Sequence, residues 1–85
     1  MKGTMQMKTN FYDSIDKRTY DEGLDRLVVR LENITDDTDY ENEHERLASE
    51  ANSDNLSGLT IAEAYYLICE HYGADRGNGF LASHA

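Results

Sequence analysis

Cys69-Glu70-His71 sets a thiol, a carboxylate and an imidazole side by side, and further histidines stand at 44 and 84. These are metal-ligating and nucleophilic side chains, so zinc binding is the first chemistry to consider. Zinc requires three or four convergent ligands. On a helix, residues i and i+2 point roughly 200° apart, so Cys69 and His71 do not share an ion. His44 and His84 have no partner at metal-ligand spacing. Asp36-Asp37-Thr38-Asp39 has the acidic opening of a calcium loop, whose template wants Gly at its sixth position and Glu at its twelfth. Counted from Asp37 these are Asn42 and Ala48, and from Asp39 they are His44 and Glu50, so the Gly is missing in both frames. The run reads better as a solvated capping cluster. Arg76-Gly77-Asn78-Gly79 lacks the lysine and the preceding strand of a phosphate loop. No Ser, His and Asp set stands out as a triad. The expectation is a chain with no metal, no cofactor and no catalytic residues, hence not an enzyme. Cys69 reads as a core thiol, and His71 as a helix-end histidine favoured by the dipole.

The charge is more informative. Residues 32 to 75 hold twelve of the seventeen Asp and Glu but a single Lys or Arg, Arg46, while the remainder is close to balanced. The net charge of −9 is therefore a local field. Such a field argues against direct binding to nucleic acid, which needs clustered Lys and Arg. It also argues against anionic membrane surfaces. It favours basic partners and fast, salt-sensitive association. The lone cysteine and the absence of a signal-like apolar run in MKGTMQMKTN fit a cytoplasmic chain.

Three segments supply the elements that position these groups. Thr19-Tyr20-Asp21-Glu22, Thr38-Asp39-Tyr40-Glu41 and Thr60-Ile61-Ala62-Glu63 each read T-x-x-E, the capping-box pattern. Each precedes apolar residues at helical spacing, which predicts helices over 19–33, 38–51 and 60–72. Leu27–Leu31, with two β-branched residues, is an alternative strand. The fold expected is all-α: one small three-helix domain over 1–85, with flexible or hooked segments at 1–10 and 74–85. Phe11, Tyr12 and Ile15 should anchor the approach to the first helix. Leu24, Leu27, Leu31, Leu47, Ile61, Tyr65, Ile68 and Tyr72 form the expected core. The third helix is apolar around most of its circumference and should be central, with Gly73 ending it in a left-handed conformation.

The second helix has the poorest apolar stripe and the densest carboxylates. Asp36, Asp37, Asp39, Glu41, Glu43, Glu45 and Glu50 are its candidate partner-binding residues. Tyr40 and Tyr66 join them as exposed aromatic anchors, because six tyrosines exceed what so small a core should bury. The functional expectation is a small acidic module that occupies a basic, nucleic-acid-binding surface of another protein. Inhibitors of restriction or CRISPR nucleases include small acidic chains of this size and charge. The alternative is a homodimerising adaptor or antitoxin-like regulator with an apolar interface.

Overall fold

A computed structural model describes residues 15–84. The expectations for residues 1–10, Phe11 and Tyr12 lie outside the described residues. The described chain is all-helical, with four helices where the sequence predicts three: α1 (Lys17–Arg30), α2 (Asp37–Asn52), α3 (Ile61–Tyr72) and α4 (Ala74–His84). No helix among them is long and apolar enough to cross a membrane.

The helix starts follow the strength of the available caps. At α3 the expected box is complete: the Thr60 hydroxyl accepts from the Glu63 amide at 3.1 Å, and Glu63 accepts from the Thr60 amide at 2.7 Å. At α1 an aspartate three residues ahead of the expected cap takes over, and at α2 one two residues ahead does. Asp16 accepts from the Thr19 amide at 3.2 Å and Asp36 from the Asp39 amide at 3.1 Å. Asp caps a helix better than Thr, so both helices begin earlier than Thr19 and Thr38 suggest. The Thr19 amide bond also holds the Asp16 carboxyl below its usual range. No strand forms at Leu27–Leu31, since α1 runs through to Arg30.

Each of the other helices packs on α3. Leu27, Leu47, Tyr65, Leu67 and Ile68 are fully buried there, with Ile15, Tyr20, Leu31, Leu59 and Phe80 around them. Small residues set the close contacts. A β-carbon at Gly23 of α1 would overlap the Ala62 carbonyl and the Cβ of Tyr66 on α3. One at Gly77 of α4 would overlap the Cys69 sulfur. Ala48 and Ala51 are the fully buried small residues of α2.

This geometry corrects part of the expected core. Leu24 is 36% exposed and Tyr72 is 43% exposed, and Ile61 is half-buried. The contact line of α1 runs through Tyr20, Gly23 and Leu27. Gly23 occupies the point of closest approach, which leaves Leu24 one position round the helix at the rim. Tyr72 lies in the last turn of α3, where the chain reverses.

The segment expected as a tail or hook is α4. Its glycines argued against a helix, since each costs about 1 kcal/mol relative to Ala. Packing outweighs that. Phe80 is buried, Gly77 lets α4 approach Cys69, and Gly73, at φ 97°, turns the chain with no residue between it and either helix. Gly73 does end α3 at positive φ, but its ψ of 162° lies outside the left-handed helical region expected for it.

Tyr65 ties three helices together. Its hydroxyl accepts from the Asp16 amide at 2.8 Å and donates to Asn78 Oδ1 at 3.0 Å. Burial pushes this phenol up to about 12. Tyr65→Phe keeps the ring and removes both bonds, so it should destabilise the fold by roughly 1–3 kcal/mol, read by thermal or urea unfolding.

Candidate functional site

The acidic face of α2 divides into two parts. Arg46 engages Glu43 through two bonds of 2.9 and 2.6 Å and Glu50 through a third of 2.8 Å. The guanidinium holds the Glu43 carboxyl below its ordinary range. Glu50 also accepts from the Ser57 hydroxyl. Asp36 is occupied as the helix cap. By contrast Asp37, Asp39, Glu41 and Glu45 are exposed and make no ion pair among the described residues. Asp37, Glu41 and Glu45 recur every four residues, a stripe that rises about 6 Å per step. Sequence density alone did not distinguish the neutralised carboxylates from the free ones. The i+3 and i+4 spacing of Glu43, Arg46 and Glu50 is the signal that does.

The tyrosines also separate. Tyr40 is half-buried and stacks on His44, with ring centroids 5.9 Å apart. Tyr66 is 8% exposed, so its expected role as an exposed anchor is corrected. It lies off the main apolar stripe of α3, but α3 is covered by neighbours on several sides, and Tyr66 falls under α1 and α2. Its ring meets Tyr20 edge-on at 4.8 Å and His44 at 5.8 Å. Burial pushes its phenol up.

The structure brings together a pair the sequence spacing concealed. His44 Nδ1 on α2 and His71 Nε2 on α3 lie 2.8 Å apart, although 27 residues separate them in the chain. They line an open groove of about 550 Å³ with Tyr40, Glu41, Glu45 and Glu70. Glu70 accepts a hydrogen bond from Tyr20 of α1. A second open groove, of about 590 Å³, lies beside Asp36, Asp39, Glu43 and Arg46. Among the described residues no three His, Cys, Asp or Glu side chains converge as a metal site. Cys69 is buried as a core thiol, and that burial pushes it up to about 11, away from thiolate chemistry. Comparison of the chain with protein-family models, with curated proteins and with solved structures returned no match.

Proposed function

We propose that this chain is a small acidic protein-binding module that occupies a basic, nucleic-acid-binding surface of a partner, as an inhibitor of a nuclease or defence complex would. The observation that carries the reading is the unneutralised stripe of Asp37, Glu41 and Glu45 on α2, flanked by Asp39. A carboxylate left without a counter-charge contributes little to the fold, yet it attracts a distant cation. One anion per about 6 Å of helix is sparser than one phosphate per roughly 3.4 Å of a DNA strand. Asp39 and the N-cap Asp36 add to it at the amino end.

The test replaces Asp37 by Asn and Glu41 and Glu45 by Gln. Glu43 stays, because removing it would free Arg46 and confound the charge count. Stability should fall by no more than about 1 kcal/mol, because of the three only Asp37 lies in the first turn, where the helix dipole favours an anion. Capture of nucleic-acid-binding proteins from a host lysate should weaken in the triple variant and at high salt. With the protein so retained, association should slow by about tenfold or more, within the range electrostatic steering supplies. Equal association rates for parent and variant would reduce the stripe to a solubilising surface.

One observation favours the second reading, a self-associating adaptor or antitoxin-like regulator. Leu24, Val28 and Val29 leave α1 with an apolar strip, 36%, 48% and 65% exposed respectively. Self-association through it would survive high salt, whereas the charge-driven complex would not.

A further inference from the structure

We propose that His44 and His71 form a proton-operated clasp that holds the amino-terminal half of α2 against α3 at neutral pH and releases it in acid. α2 is anchored through its carboxyl-terminal half. Its fully buried side chains, Leu47, Ala48 and Ala51, all lie beyond His44. Ahead of His44 the helix contributes Tyr40, which is only partly buried. The contact between the two imidazoles therefore sits where apolar attachment gives way to an exposed, acidic half-helix.

At 2.8 Å the contact is a hydrogen bond, so one of the two facing nitrogens carries a proton and the other does not. A single added proton leaves that bond intact, because the cationic ring donates to the neutral one. A second proton places two N–H groups and two positive charges face to face. The pair then repels, and α2 loses its tie to α3. The two protons belong to the pair rather than to either ring.

The surroundings favour the neutral state of His44. Burial, and then the nearby His71, lower its affinity for a proton below that of an ordinary imidazole. The groups facing the pair are Tyr40, Glu41 and Glu45 from α2, Tyr66 and Glu70 from α3, and Tyr20 from α1, which donates to Glu70. The carboxylates favour protonation and oppose the burial, but Glu41, Glu45 and Glu70 are exposed to solvent and screened. The sign follows from linkage. A histidine whose affinity is depressed by folding stabilises the fold above the unfolded value of about 6.5, and that stability is lost as pH falls below it. Because α2 also carries the acidic stripe, release would displace the proposed partner surface, a consequence that rests on the reading above.

The experiment uses the whole chain without any partner, so its outcome is independent of the proposed function. Nitrogen-15 spectra of the histidine rings, followed from about pH 8 to pH 4.5, bracket the usual imidazole range. The expected result at neutral pH is complementary: one contacting nitrogen protonated, the other bare. The two rings should then titrate together in two steps. Hydrogen exchange, corrected for its intrinsic pH dependence, should show the opening of amides in the first half of α2 rising about tenfold or more between pH 7.5 and 5. Amides of α1 and α4 should change far less. In His71→Gln, whose amide still hydrogen-bonds but does not titrate, this acid-induced rise should shrink to the part that burial of His44 alone supplies. Equal rises in parent and His71→Gln would overturn the proposal. If that variant does not fold, the parent spectra decide, since two histidines titrating independently in single steps would also overturn it.

Discussion

Gly23→Ala should lower the melting temperature by roughly 4–24 °C, against the direction that helix propensity predicts. In an exposed helix interior, exchanging Gly for Ala is favourable by about 1 kcal/mol. At Gly23 the added carbon would overlap the Ala62 carbonyl and the Cβ of Tyr66. Both belong to the framework of α3 and cannot rotate aside, so α1 must lift away from the helix it packs on. Overpacking of this kind costs typically 1–3 kcal/mol, and each 1 kcal/mol shifts the midpoint of a domain this small by about 4–8 °C. Gly79 of α4 is the internal control. Nothing lies within 4 Å of a β-carbon built there. Gly79→Ala should leave stability unchanged or raise it by up to about 1 kcal/mol. If Gly23→Ala is also stabilising, the close approach of α1 and α3 is wrong.

Ile68→Ala should cost about 2–5 kcal/mol, the usual range for truncating a fully buried aliphatic chain. Ile68 is 1% exposed on α3, the helix every other element packs against, so the cavity has no free surface towards which to collapse. For a domain whose total stability is on the order of 5–10 kcal/mol, that is enough to populate the unfolded state. Urea unfolding would read the effect as a lower midpoint with little change in slope. Tyr72→Ala, on the same helix but 43% exposed, should cost far less. Equal losses in the two variants would contradict the burial pattern.

The sequence by itself determined what local chemistry encodes. The Thr60–Glu63 box, the glycine stop at Gly73 and the near-continuous apolar surface of α3 all rest on residues close to one another in the chain. They correctly made α3 a capped, central helix. The three long helices were likewise legible from 3.6-residue periodicity, to within a few residues at each end. The acidic face was legible as charge density on α2.

Tertiary packing decided the rest, wherever two distant segments had to meet. α4 looked like a tail or a hook rather than a helix, because Gly77 and Gly79 oppose a helix locally. It forms because Gly77 permits contact with Cys69 and because Phe80 is buried. Leu24 looked like core because the pattern counts apolar residues, whereas the helix contact is made at Gly23, where the lack of a side chain lets α1 close on α3. Tyr66 looked exposed because it lies off a single stripe, while α3 is covered by more than one neighbour. The pairing of His44 with His71 had no spacing to reveal it, since an angle between two helices sets that 2.8 Å contact. Periodicity reports how one helix divides its own surface. Which faces are covered, and which polar groups come to share a groove, depends on where the other helices cross it.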